Sequence, residues 1–138
     1  MDGSSDARVR GGPVLRVLIA DTRTEVRAAL RLLLEHTLVP LAVDDAWDAE
    51  MLLGKAALAC PDVVLLGWEL SGLRITAFLP ALRLICPRGK VIALTNRFTP
   101  AEAERVGVDG VISTTDPPER VIEIVTWVVG RSCWPPPA

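Results

Sequence analysis

Histidine and lysine are scarce in this chain of 138 residues: His36 is the only histidine, and Lys55 and Lys90 are the only lysines. The three cysteines, Cys60, Cys86 and Cys133, lie far apart and form no CxxC pair. With one histidine beside them they do not make the clustered ligand set that zinc requires, so no metal centre is expected. Cys60 and Cys86 read instead as small apolar fillers near helix ends. Tyrosine is absent and aromatics amount to 4%. Rings able to sandwich a flavin are therefore few, Trp68 apart, and no cofactor is expected. Neither sign of charge is in excess, with 15 Lys+Arg against 17 Asp+Glu, and basic residues do not cluster. That pattern argues against nucleic acid as a partner. No apolar run approaches the roughly 18 residues of a membrane span. Residues 1–13 are polar and glycine-rich with no apolar signal core, and read as a flexible N-terminal arm on a cytoplasmic protein.

What is present is aliphatic. Half of the residues are hydrophobic, enough for one domain with a real core and, at this length, too few for two. Val63-Val64-Leu65-Leu66 has no polar alternation and reads as a strand buried on both faces, at the centre of a parallel sheet. Four more strands are expected at 14–20, 39–43, 90–94 and 111–113, the second at a sheet edge because it contains Pro40. Between them run helical patterns. Thr22 and Glu25 fit a capping box for the first helix, which ends near His36, a residue suited to the negative helix end. Asp45 with Asp48 starts the second, which buries Trp47, Met51, Leu52 and Leu58. The third, 72–85, must start late or kink at Pro80. Thr99 and Glu102 cap a short fourth helix, with Ala103 and Val106 as its apolar members. Asp116 caps the last, which stops near Gly130. Five alternations with right-handed crossovers give a parallel sheet with helices on both faces.

In a sheet of order 2-1-3-4-5, the ends of strands one, three, four and five converge on one carboxyl-edge pocket. Here they supply Asp21-Thr22, Gly67, Thr95 and Thr114. The phrases Val17-Leu18-Ile19-Ala20-Asp21, Pro61-Asp62-Val63-Val64-Leu65-Leu66, Trp68-Glu69-Leu70, Val91-Ile92-Ala93-Leu94-Thr95 and Asp116-Pro117-Pro118-Glu119 resemble the receiver domain of two-component response regulators. The resemblance implies a flavodoxin-like (βα)5 three-layer α/β sandwich over 14–130, followed by a Pro-rich tail at 131–138. It also implies a phosphorylation chemistry. Family members hold Mg²⁺ with an acidic pair after the first strand and accept a phosphoryl group on an Asp ending the third. A Thr or Ser after the fourth strand and a Lys after the fifth read the new charge. An aspartyl phosphate needs that set: a carboxylate nucleophile, a hard cation on oxygen ligands, and a cationic side chain on the phosphoryl oxygens.

Carried over residue by residue, little of the set remains. Asp21 matches the first acid, while Thr22 stands at the second. Gly67 stands where the acceptor Asp belongs, and Thr95 matches the hydroxyl. Thr114 replaces the Lys, and Val111 sits where the family carries a Tyr or Phe switch ring. Three losses in one pocket point to a degenerate, pseudo-receiver form that signals without phosphorylation and is not an enzyme. Asp21 then caps a turn or a neighbouring N–H more readily than it holds metal, and Thr95 is a hydroxyl bonded to backbone. Glu69 is two residues past Gly67 and poorly placed as a stand-in acceptor. The alternatives are a phospho-switch with a non-standard acceptor and a small-molecule (flavin or nucleotide) binder at the carboxyl edge.

A fixed interaction surface is the remaining place for function. In the last helix Glu119, Arg120, Glu123 and Thr126 define a polar arc, and Trp127 falls inside it. A Trp there is expected to be partly exposed, unless the tail covers it, and aromatic anchors on polar faces are enriched at interfaces. The apolar arc of Val121, Ile122, Ile124, Val125, Val128 and Val129 is wider than packing on one side of a sheet requires. Trp127, Glu123 and Arg120 are thus the expected contact residues, for a protein partner or for a second copy. The resemblance implies the same face, formed by helix four, strand five and helix five.

Overall fold

In the computed structural model the described residues are 14–38, 41–97 and 99–131. Strand β3 (Val63–Gly67) is buried along its whole length, as an uninterrupted aliphatic run requires. It pairs in parallel with β1 (Leu15–Ala20) on one side and β4 (Lys90–Leu94) on the other. Strand β2 (Leu41–Ala46) flanks β1, and β5 (Gly110–Ile112) flanks β4, giving a five-stranded sheet of order 2-1-3-4-5. Helices α1 (Thr24–Thr37), α2 (Ala49–Leu58), α3 (Ile75–Ile85), α4 (Pro100–Val106) and α5 (Pro118–Arg131) make the crossovers. The fold is the flavodoxin-like α/β sandwich.

Strand alternation divides the core in two. Leu18, Val64, Leu66, Val91 and Ala93 face α2, α3 and α4, where Leu52, Ala56, Phe78, Leu82 and Ala103 meet them. Val17, Ile19, Val63, Leu65 and Ile92 face α1 and α5, against Leu34, Val121, Val125 and Val128. Gly110 sets how closely α5 lies on the sheet: a Cβ there would come within 2.8 Å of Val128 Cγ2. No helix of the described residues is long and apolar enough to cross a membrane.

Several local expectations are corrected. Helix α1 starts at Thr24 with Arg23 at its N-cap, and no Thr22–Glu25 capping box forms. The Thr22 hydroxyl turns across the loop instead, accepting the Ser71 N–H at 3.0 Å. Strand β2 runs through Asp44 and Asp45, which therefore do not start a helix. An edge strand leaves these carboxylates free to pair sideways, and they meet Lys55 and Arg27. Asp48 alone caps α2, accepting the Met51 N–H at 2.7 Å. Trp47 and Leu58, expected inside, are exposed. Pro40 lies outside the described residues, as do the arm at 1–13 and residues 132–138 of the tail.

Two helix starts hold in position, and two further expectations do not. Helix α3 starts late, at Ile75, which puts Pro80 in its second turn. Thr99 and Glu102 form the reciprocal capping box. The Asp116 carboxylate does not cap α5 as expected; it accepts the Ser113 N–H at 2.8 Å. Cys60 and Cys86 are not two separate fillers. They are joined in a disulfide, with Cα atoms 5.5 Å apart, that ties the turn after α2 to the end of α3.

Candidate functional site at the carboxyl edge

The register of the sheet builds the site. Ala20 pairs with Leu66, and Gly67 pairs with Leu94. The next residues, Asp21 and Thr95, therefore stand on either side of Gly67. Backbone bonds continue the sheet past the strand ends: Asp21 N–H to the Ala46 carbonyl, Trp68 N–H to that of Leu94, and Thr95 N–H to that of Ile112. Asp21 and Thr95 are the buried polar side chains of the described residues.

Asp21 is fully engaged. One carboxylate oxygen accepts the Arg23 backbone N–H at 2.8 Å and Arg23 Nε at 3.0 Å, and the other accepts Arg23 Nη2 at 2.9 Å. The guanidinium thus grips both oxygens in a two-pronged, charge-assisted pair. That hydrogen bonding, opposed by partial burial and aided by the charge of Asp21, raises the Arg23 pKa above its ordinary value. The turn also explains the late start of α1. The Asp21 side chain takes the Arg23 N–H, so Arg23 becomes the first capping position.

The gripped carboxylate fills the space above Gly67. A Cβ built on Gly67 would lie 2.5 Å from Asp21 Oδ2, 2.9 Å from Asp21 Cγ and 3.2 Å from the Ala20 carbonyl oxygen. A side chain at 67 and the observed Asp21 rotamer cannot coexist.

The other expected residues stand at the rim of this edge in a cleft of about 440 Å³. Thr95 Oγ1 accepts the Arg97 N–H at 3.1 Å, a backbone bond. Thr114 is exposed, with its hydroxyl accepting from Asn96 Nδ2 at 2.7 Å and its N–H donating to Asn96 Oδ1 at 2.9 Å. Glu69 points outward and pairs with Arg97 at 2.9 Å, with both side chains largely exposed. Val111 is half-buried against the α2–α4 side of the core. It belongs to the opposite groove rather than to the carboxyl edge.

The Mg²⁺ site implied by the resemblance does not fit these residues. Both oxygens of Asp21 are taken by Arg23, Thr22 Oγ1 is turned to Ser71, and Gly67 offers no ligand. Arg23, which sequence reasoning passed over, is the residue that decides this. An Asp followed two residues later by Arg, directly after a strand, is the signal that marks it.

The second expected region is a groove of about 780 Å³ between α4, β5 and α5. Ala103, Val108, Gly110, Val111 and Ile124 line its base, and Trp127 stands on its wall with Arg120 and Glu123. The latter two pair at 3.0 Å. Trp127 is 59% exposed, as its place in the polar arc predicts. The surplus apolar width of α5 is largely absorbed: Val121, Val125, Val128 and Val129 are buried and Ile122 and Ile124 pack against the core.

Solved structures of receivers share this architecture. A LuxR-family two-component response regulator from Aurantimonas sp. SI85-9A1 matches with a TM-score of 0.74 at 21% identity, over 86% of each chain. The chemotaxis protein CheY4 of Vibrio cholerae matches with a TM-score of 0.72 at 22% identity, over 83% of this chain and 98% of that one. NtrX from Brucella abortus matches with a TM-score of 0.75 at 22% identity, over 86% of this chain but only 28% of its own. No protein-family model and no curated protein matches the sequence. The likeness establishes the receiver fold.

Proposed function

We propose that this chain is a receiver-fold signalling protein of the two-component type that works by binding a protein, a partner or a second copy, without being phosphorylated. One observation carries the reading: the Asp21 carboxylate, clamped by Arg23, occupies the space in which a side chain at Gly67 would begin. Aspartyl phosphate formation needs a carboxylate at that point, a metal on the acids beside it and a cation on the phosphoryl oxygens. Position 67 has no carboxylate, the neighbouring acid is neutralised within the loop, and Thr114 brings a hydroxyl already committed to Asn96. The α4–β5–α5 groove with Trp127 is the docking surface, since a large aromatic beside a charged pair is the composition of an interface anchor.

Incubation with Mg²⁺ and acetyl phosphate, read by intact mass, tests the first half of the proposal. An unchanged mass is expected, and gain of one phosphoryl group that alters assembly overturns it. Trp127→Ala tests the second half. Self-association by light scattering, or retention of a captured partner, should fall by at least about tenfold, the size of a hot-spot loss. Unchanged assembly and unchanged partners would remove the groove from the proposal.

The carboxyl-edge cleft favours a second reading, a small-molecule binder. Arg23, Arg97 and Trp68 line it together, so an aromatic anion that stacks on the ring takes a guanidinium only by displacing Asp21 or Glu69 from it. A purified protein with no absorbance beyond its tryptophans, and no nucleotide released on denaturation, sets that reading aside.

A further inference from the structure

At the amino edge of the sheet we propose that Cys60 and Cys86 are a reversible redox couple that fastens the end of α2 to the end of α3. The bonded form is the one described. The structure also accommodates the reduced form. The last carbonyls of a helix have no partner within it. Cys60 Sγ lies 3.3 Å from the carbonyl oxygen of Ile85, the final residue of α3, and Cys86 Sγ lies 3.5 Å from that of Ala56, in the last turn of α2. Each sulfur therefore has a helix-end carbonyl of the opposite helix within reach, an acceptor for the S–H that replaces the bond. Cys86 is 2% exposed among apolar neighbours, where a thiol packs as a small hydrophobe.

Access fixes the direction of attack, because Cys60 is exposed and Cys86 is not. The thiolate of a small thiol, RSH, attacks Cys60 Sγ. An R–S–Sγ bond forms, the Sγ–Sγ bond breaks, and Cys86 leaves as a thiolate that takes a proton. A second RS⁻ attacks the R sulfur, releasing RSSR and the Cys60 thiolate, which is protonated in turn. Two electrons pass from two small thiols to the protein, and a small-molecule disulfide drives the reverse.

The bond closes a ring containing β3, Gly67 and α3. At the top of that ring Ser71 is held by Thr22, by the Ala49 N–H and by a bridge to Asp48. Oxidised, α3 is fastened to α2 at both ends; reduced, it is fastened at one.

Thiol counting on the full chain, in native buffers poised from reducing to oxidising with glutathione and its disulfide, tests the couple. Of three cysteines, two in the bond leave one free thiol, so the count should move between one and three without denaturant. Amide exchange at residues 82–86 should quicken by about tenfold on reduction, the mark of a local opening. Cys60→Ser keeps a donor for the Ile85 carbonyl, and should hold that exchange at its fast value in every buffer. Cys133→Ser should titrate between none and two at the same midpoint. A count fixed at three under oxidant, a count fixed at one until denaturant is added, or a midpoint that moves in Cys133→Ser would each overturn the proposal.

Discussion

Arg23 does at one residue what a bound cation would otherwise do: it neutralises a buried carboxylate in place. The side chain of Asp21 is 4% exposed and that of Arg23 is 47% exposed. Arg23→Ala should therefore cost about 1–3 kcal/mol by urea denaturation, less than a fully buried pair because water screens the guanidinium. Gly67→Ala forces its methyl onto Asp21 and should cost about 1–3 kcal/mol by the same measurement. Gly67→Asp should be less stable still, because it adds a second carboxylate, and should stay unmodified by acetyl phosphate. Asp21, Gly67, Thr95 and Thr114 were legible in the sequence because strand ends can be counted and a parallel order brings them to one edge. Arg23 was missed, since an Asp–Arg pair two residues apart has no periodicity and its one signal is that spacing directly after a strand. Thr22 was misplaced for a related reason. Its spacing to Glu25 fits a capping box, but Asp21 already holds the Arg23 N–H, and the helix starts beyond it.

Among the elements, α4 depends most on its first residues. It is short, and its start is held by the Thr99 hydroxyl on the Glu102 N–H at 3.2 Å and the Glu102 carboxylate on the Thr99 N–H at 2.8 Å. Thr99→Ala should cost about 1 kcal/mol of stability and loosen the α4 side of the Trp127 groove. The Thr99 N–H, then the Thr99 hydroxyl, holds the Glu102 carboxyl below its ordinary value of 4.5. A depressed folded value means that the charge stabilises the fold above that ordinary value and ceases to do so as pH falls through the lower one. Glu102→Gln should thus be less stable than the parent at neutral pH, with the difference vanishing on acidification, as thermal melts across that range will read. Alternating strands and helices were legible throughout. The lapse came at β2, where Asp45 read as a helix start together with Asp48. At a sheet edge such carboxylates keep one side in water and find Lys55 and Arg27 there.

For the whole molecule, the sheet order followed from the alternation, and the disulfide did not. The sequence separation of 26 between Cys60 and Cys86 carries no signal until the register of β3 and β4 brings the ends of α2 and α3 together. Closing a loop of that size stabilises a chain by about 3.5 kcal/mol in the chain-entropy model. Reduction should lower Tm by about 10 °C for a chain of this length. Scanning calorimetry with and without reductant gives that difference directly. The clamp over Gly67 has a consequence of another kind. On the proposed reading, a mutational walk from this sequence toward a phosphate-accepting one has no downhill first step. An acid placed at 67 meets the carboxylate already there, and removal of Arg23 alone strands that carboxylate without its counter-charge. An acid in place of Thr22 breaks the tie to Ser71 before there is an ion to reward it. The proposed function thus carries its own ratchet, which several coordinated replacements would be needed to release.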